Sequence, residues 1–578
     1  MEAQGYQERS TSLSRRSLLR VGGGVLLAGP LATLLAACGG SGQVPTATSS
    51  AGGTGNPATV GASTGTSSTP AGATTGAGSA VANTGATASA GKIKPGGALT
   101  VAIGTDISSL EPQVSTETSS AGVRANIYDQ LVWQYTPKGD VQPWLATKWE
   151  ASPDGLTYTF TLLNKPVKFH DGTDFNADAV KTTYDRLLAP SRSGAAKLTL
   201  TVITKVEAPD PKTVRFTLAN VFAPFLRRVA DSPGGIMSPA AIQKYGEDYG
   251  TNPIGTGPYK FVEYKKGDHV ALAKNPNYWN GSVSYDTLTY KIVPEDASRG
   301  TLLQTGEAQV SDRVPPVLAQ QLSTNKDVSI QQDITSRYIM FVLNENRDLM
   351  KNVQVRQAVN YGVDKKAIVQ NILKGYAIVA ESPLTKVIEF SKPQPVYEFD
   401  LAKAKSLLQA AGVAPGTKLV IWTPQGRYTG DKDFATAVQD MMKNLGFDAQ
   451  LQAFGDFPTY LTQLDTLQYD MAVWGWANSN DADSGLNQLY SSKFVKKFPN
   501  WGSYSNPKVD DLLNTAVSTL DTAKRTDLYG QAQQLIWQDA ASLFMHWQEN
   551  LTGVSKKITG VFVTASETLI VRDSGYTA

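Results

Sequence analysis

Between Lys418 and Trp476 the chain alternates between two periodicities, and that alternation leaves few folds open. Lys418–Trp422 is a short apolar run of strand length. Phe434, Ala437, Val438, Met441, Met442 and Leu445 then recur at helical spacing, stopped by Gly446. Phe447–Phe454 reads as a strand, Thr459–Leu467 as a short helix and Tyr469–Trp474 as a third strand. A β-α-β-α-β order predicts a parallel sheet with right-handed crossovers. Ligands bind outside the carboxyl ends of such strands. Two loops fall there, Thr423–Tyr428 and Gly475–Asp483. The second groups Trp474, Trp476, Asn478, Ser479, Asn480, Asp481 and Asp483. Rings there would supply contact area and the polar groups would fix orientation. A core strand followed by a surface turn is the competing reading of this stretch by itself.

The N-terminus reads as an export signal outside the fold. Twin arginines, Arg15 and Arg16, precede an apolar stretch, Val21–Ala37, that ends in Leu35-Ala36-Ala37-Cys38. Charged, apolar and small-residue regions in that order make a secretory signal. The arginine pair resembles a twin-arginine signal, and Leu-Ala-Ala-Cys resembles a bacterial lipobox whose cysteine is lipidated and becomes the mature N-terminus. A short membrane anchor is the alternative, disfavoured by Gly22, Gly23, Gly24 and Pro30. Cys38 is the only cysteine, so no intramolecular disulfide can form. Gly39–Gly91 holds no charged residue and is rich in Gly, Ser, Thr and Ala. Such a composition predicts a flexible tether about 40 Å from end to end. Its Gly61-Ala-Ser-Thr-Gly65 matches a hydrolase motif by chance, with no strand before it and no helix after it.

Residues 1–37 carry four arginines against two glutamates, and the whole chain has a formal charge of +2, so the exported part is near neutral. No basic face calls for nucleic acid. No segment after the signal is long and apolar enough to span a bilayer.

From Lys92 order is expected. Leu99–Ile103 reads as a strand and Ala121–Tyr135 as a helix with Val123, Ile127, Leu131 and Val132 on one face. Trp149–Leu162 reads as a hairpin about Pro153-Asp-Gly155, with Tyr158, Phe160 and Leu162 facing inward. Asn176 caps a helix through Leu188, and Val202–Leu218 gives two strands. Gly255 and Gly257 mark a tight backbone path rather than a phosphate loop, which would end in Gly-Lys-Ser/Thr. Of the three histidines, His170 beside Asp171 reads as structural, since His269 and His546 lie far off in sequence. Asp364 and Asp400 cap two later helices.

Four stretches together resemble one family. They are Val167-Lys-Phe-His-Asp-Gly-Thr173; Pro253-Ile-Gly-Thr-Gly-Pro-Tyr259 with Asn275-Pro-Asn-Tyr-Trp279; Val355–Ile368; and Tyr397–Leu408. In this order they resemble the solute-binding proteins of peptide-type ABC importers, extracellular family 5, over essentially all of the chain after the tether.

That resemblance implies an α/β, two-lobed periplasmic-binding-protein fold of type II, in its large cluster C form. Two crossover strands, Arg337–Asn344 and Ala541–Trp547, would form the hinge. It divides the chain into signal (1–37), tether (38–91), lobe I (92–335, with an inserted subdomain near 136–201), lobe II (336–543) and a return to lobe I (544–578). The function it implies is capture of a small solute by hinge closure and delivery to a permease and its ATPase. The protein would be a monomer without cofactor, held outside the cytoplasmic membrane by its lipid alone. In peptide-binding members an Asp after the Gly-Trp strand anchors the solute's α-amine, and an Arg in the other loop takes its carboxylate. Arg427 suits the second role through bidentate pairing, with a solvated surface Arg as the alternative. The expected Asp falls on Ser479, so an amine anchor needs Asp481 or Asp483 in a differently built loop. Sugar, opine-like and metal-chelate solutes therefore stay open beside peptides. Tyr428, Thr116, Glu117, Asn500 and Tyr504 complete the expected ligand-binding set. Direct metal binding is not expected with three His and no Cys beyond the signal. A secreted hydrolase using Asp481 and Asp483 as an acid/base pair is the rival class, and a sensing or adhesion receptor on the same fold is a third.

Overall fold

The computed structural model describes residues 93–577 except 137–138, 193–196, 198–199 and 478–480. All of them belong to one compact unit, Val81–Ala578. The signal, Cys38 and the tether lie outside the described residues, as do Asn478, Ser479 and Asn480.

The elements used below are, in chain order, β1 (Ala98–Ile103), α1 (Thr118–Ile127), β2 (Ala146–Ala151), β3 (Thr157–Leu162), α2 (Ala177–Leu188), β4 (Ile203–Asp210), β5 (Thr213–Leu218) and α3 (Phe225–Ala230). They continue with β6 (Tyr259–Lys265), β7 (His269–Lys274), β8 (Thr287–Ile292), β9 (Val310–Ser311) and β10 (Val328–Leu343). Next come α4 (Leu401–Ala410), β11 (Lys418–Pro424), α5 (Asp431–Leu445), β12 (Asp448–Phe454), α6 (Phe457–Leu464) and β13 (Met471–Trp476). The last are α7 (Ala482–Tyr490), α8 (Thr522–Gln538) and β14 (Ser542–Ser555).

An eleven-stranded sheet runs β12-β11-β13-β10-β14-β9-β1-β8-β7-β6, with Ala377–Val379 paired onto β14. β11 lies parallel to both β12 and β13, as the alternating periodicity requires. β10 and β14 are antiparallel and run through both halves of the sheet. Their N- and C-terminal parts pair with different neighbours, β13 on one side of the molecule and β9 on the other. The ladder between them shifts register between Ile334 and Tyr338 and again between Ile339 and Met340. The two-lobed fold thus rests on one shared sheet, with a break in the central ladder.

Caps form where the sequence places them. Asn176, Asp364 and Asp400 each accept a backbone N–H from the first turn of the helix that follows. Tyr158, Phe160 and Leu162 are buried on one face of β3.

Two expectations change. The helix predicted over Ala121–Tyr135 ends at Ile127, and Val132–Trp133 is a strand instead. The cause is the glycine stretch. Gly257 donates its N–H to the Ile127 carbonyl at 2.9 Å, closing the helix end. A Cβ at Gly255 would fall 2.1 Å from that same oxygen, so only glycine allows the approach. Past this point Asp129 is buried and accepts from Trp144 Nε1, Thr256 Oγ1 and Trp279 Nε1, holding the chain extended. The inserted sheet, β2-β3-β5-β4, also runs on to Leu218, past the expected limit near residue 201. α3 packs on it through Phe225 and Val229.

His170 is half-buried and its Nε2 donates to the Gly257 carbonyl (2.9 Å), so it braces the glycine stretch.

Candidate functional site

β13 ends in an aromatic wall. Trp474 is 5% exposed and lies nearly parallel to Phe457 at 6.4 Å, with the Trp501 ring edge-on at 4.7 Å. It is a core residue. Trp476, one alternation further, is half-buried, and its Nε1 donates to the Ser484 carbonyl at 2.9 Å. That bond fixes the ring while leaving part of it open to solvent. Phe498, exposed, borders it at 5.8 Å.

Gly475 between the two tryptophans joins this wall to the second loop. A Cβ there would fall 2.5 Å from the Tyr428 ring and 2.7 Å from Ile339 Cδ1. Tyr428 donates its hydroxyl hydrogen to the Gly475 carbonyl at 3.3 Å and is buried. The loop that carries Tyr428 is gathered by one carboxylate. Asp431 accepts from the backbone N–H of Gly426 (2.9 Å), Arg427 (2.8 Å), Tyr428 (3.0 Å) and Lys432 (2.8 Å). A fixed backbone fixes where the Arg427 side chain starts.

The Arg427 guanidinium lies over Phe457 (5.1 Å) and Tyr428 (5.4 Å). No carboxylate among the described residues pairs with it. Its side chain reaches solvent, yet protein surrounds it closely enough to matter. Burial first, and Arg337 second, lower its pKa below the ordinary guanidinium value. A cation so placed gains from an incoming anion.

Arg337 itself is satisfied. Its Nε donates to Glu567 Oε1 at 2.7 Å and its Nη2 to Glu567 Oε2. Arg313 also acts on Glu567, and its Nη2 donates to Thr118 Oγ1 at 2.7 Å at the start of α1. Three arginines thus surround one glutamate where the lobes meet.

At the far end of the wall, Asp481 caps α7 by accepting the Asp483 N–H at 3.0 Å. Both carboxylates are buried and face Arg228 of α3. Arg228 Nη2 lies 3.0 Å from Asp481 Oδ2 and 3.9 Å from Asp483 Oδ2. The Asp483 carboxyl is pushed up to about 6, by burial first and Asp481 second.

Contacts join Tyr428 and Arg427 to Trp476 through Phe457 and Trp474, and Trp476 reaches α7, which Asp481 and Asp483 open. Thr116 is exposed ahead of α1, and Glu117 is committed to capping it, accepting the N–H of Ser119 (2.6 Å) and Ser120 (2.8 Å). Asn500 donates to the Ser491 and Tyr504 carbonyls, and the Tyr504 hydroxyl donates to Asp539 at 2.6 Å. Both are buried, and these polar groups hold the fold together. Arg228, Arg313, Arg337 and Glu567 carry no sequence signal of their own, save that Arg337 heads the apolar run Arg337–Asn344. Among the described residues no group of three or more His, Cys, Asp or Glu is placed to hold a metal ion, and no helix is long and apolar enough to cross a membrane.

Comparison with known proteins gives a consistent result. The family model described as bacterial extracellular solute-binding proteins, family 5 middle, matches residues 140–497. The chain is 33% identical over 486 residues to the glutathione-binding protein GsiB of Pectobacterium atrosepticum, covering 82% of this chain and 94% of that protein. Among solved structures it resembles the periplasmic binding protein DppA of Helicobacter pylori in complex with the peptide STSA. That match has a TM-score of 0.73 at 27% identity, covering 84% of this chain and 99% of the other. It also resembles AgaA of A. tumefaciens R10 in complex with agropinic acid, with a TM-score of 0.68 at 26% identity, covering 80% and 94%.

Proposed function

The chain belongs to the bacterial extracellular solute-binding proteins, family 5, and on that premise we propose that it captures a small peptide or peptide-like solute between its lobes for an ABC permease. The observation that carries this reading is Arg427. Its guanidinium, without a carboxylate partner among the described residues, lies on an aromatic wall formed by Phe457 and Tyr428, which continues through Trp474 to Trp476. A carboxylate laid against it gains charge-assisted hydrogen bonds, and apolar parts of the solute pack on the rings. The glutathione and peptide ligands of the relatives are carboxylate-bearing molecules of this kind.

The proposed site comprises Arg427, Trp476 and Tyr428, with Asp481 and Asp483 at its far end and Thr116 on the opposite lobe. Asn500, Tyr504, Trp474 and Glu117 support it from within the fold. Cys38 is the proposed lipid anchor, and the charge-free segment after it the tether.

A second reading, a carboxylate-bearing solute that is not a peptide, is favoured by one contact. Arg228 already occupies the carboxylates that would hold an α-amine. The same contact speaks against a hydrolase, since the pair expected to do acid/base work is buried against a cation.

Mass spectrometry of the solute released from purified, unfolded protein tests the proposal. A peptide or a peptide-like acid is the expected result. A neutral sugar would remove the role given to Arg427. Turnover of the released solute by the refolded protein would overturn the binding reading itself.

A further inference from the structure

Arg228 sits on α3, which packs on the inserted sheet of lobe I through Phe225 and Val229. Asp481 and Asp483 open α7, which belongs to the lobe II core through Leu486, Leu489 and Tyr490. The ion pair therefore joins the lobes. All three residues are buried, at 6%, 2% and 8% exposure. Two other contacts follow the same seam. Arg227 Nη2 donates to Glu389 Oε2 at 2.9 Å, and the Ala223 N–H donates to the Val517 carbonyl at 2.9 Å. These two are peripheral: Glu389 is partly exposed and the other is a single backbone bond.

Two buried carboxylates side by side repel each other and have lost their hydration, so they need a cation. Within lobe II one cation, Arg525, acts on this corner. It acts on Asp483 electrostatically, but neither carboxylate forms an ion pair with it among the described residues. Asn487 donates to Asp483 Oδ1 at 3.1 Å, and Tyr529 is the other titratable group facing the pair. Lobe II therefore leaves the pair short of positive charge, and lobe I brings it when the cleft shuts.

We propose that Arg228 is a clasp and a specificity-determining residue: it supplies the Asp481/Asp483 pair with the protein's own cation, fastens the lobes even without solute, and frees the solute from having to offer an ammonium group there. The second consequence rests on the solute-binding reading above, whereas the first does not. A solute with a free amine gains nothing at this corner unless it displaces Arg228. A solute with a blocked amine loses nothing.

The test uses full-length protein without its signal, stripped of solute by unfolding and refolding. Small-angle scattering compares wild type with Arg228→Gln and with the double variant Asp481→Asn/Asp483→Asn, each shown to be folded by circular dichroism. The clasp predicts an upward shift of the radius of gyration in both variants. Equal radii in all three overturn it. Calorimetric titration with the tetrapeptide Ser-Thr-Ser-Ala and its N-acetyl form tests the specificity. Wild type should bind both within about threefold, whereas Arg228→Gln should favour the free amine by about tenfold, because the exposed carboxylates now take it. Rejection of the acetylated peptide by wild type overturns the specificity role. If neither peptide binds wild type, the peptide reading and with it the specificity role fall, and the scattering result alone decides the clasp.

Discussion

Arg337 and Glu567 form a buried two-point ion pair where β10 crosses between the lobes. Arg337 Nε donates to Glu567 Oε1 at 2.7 Å, and Nη2 reaches the other oxygen. Burial alone would raise the Glu567 carboxyl, but Arg337, then Arg313 and Arg427, outweigh it and hold it below its ordinary value. Arg337 lies in the break of the β10–β14 ladder, directly before Tyr338, where pairing resumes. The pair therefore ties β10 to the C-terminal segment.

Replacing Glu567 by Ala leaves Arg337 charged and buried without a partner. Removing one member of such a pair costs about 3 kcal/mol. Differential scanning calorimetry should show a clearly lower Tm. An unchanged Tm would mean that water reaches Arg337 and the pair is not buried in solution.

Gly475→Ala forces a methyl group into the Tyr428 ring, since a Cβ at this position falls 2.5 Å from the ring's nearest carbon. The ring must move, and Arg427 with it. The expected cost is about 2 kcal/mol of stability, typical of overpacking, together with loss of affinity for the solute identified by mass spectrometry. Unaltered affinity would separate Arg427 from the solute.

Trp476→Ala combined with Arg427→Ala should abolish binding while barely shifting thermal unfolding of the empty protein. Arg427 is exposed and Trp476 is a half-buried ring at the edge of its cluster, so the pair carries little of the core's burial. Intrinsic fluorescence titration reads the first outcome and calorimetry the second.

His546 gives a pH prediction. It is buried on β14, edge-on to Phe434 at 5.6 Å, and burial lowers its pKa from the ordinary 6.5 to about 3. Between those values the unfolded chain takes a proton that the folded protein refuses. Stability from this group is thus complete above pH 6.5 and is lost progressively as pH falls toward 3. His546→Phe should raise Tm at pH 5 relative to wild type and narrow the gap between pH 5 and pH 7.5. An identical acid limb in both proteins would contradict this.

The parts of the fold written in local pattern were legible from the sequence. The β11-to-β13 alternation, the caps at Asn176, Asp364 and Asp400, and the hairpin at Pro153-Asp-Gly155 each need only neighbours a few residues apart. The end of α1 was not legible, because Gly255 and Gly257 stop it from more than a hundred positions away. The site divides in the same way. Trp476, Arg427, Asp481 and Asp483 follow from where parallel strands end. Arg228 and Glu567 do not, because an ion pair between residues 228 and 481, or 337 and 567, leaves no local trace. Asn500 and Tyr504 were polar residues near aromatic ones, a pattern that fits a buried brace as well as a pocket.

The shared sheet also bears on how the chain is made. β14, Ser542–Ser555, lies between β10 and β9 in the middle of the eleven strands, yet it comes from almost the end of the sequence. A nascent chain halted before residue 542 would carry two bare strand edges, on β10 and on β9, in what becomes the interior of the sheet. Translation must therefore pass Ser555 before either half can be sealed, and termination ahead of that strand yields a sticky product rather than a working lobe.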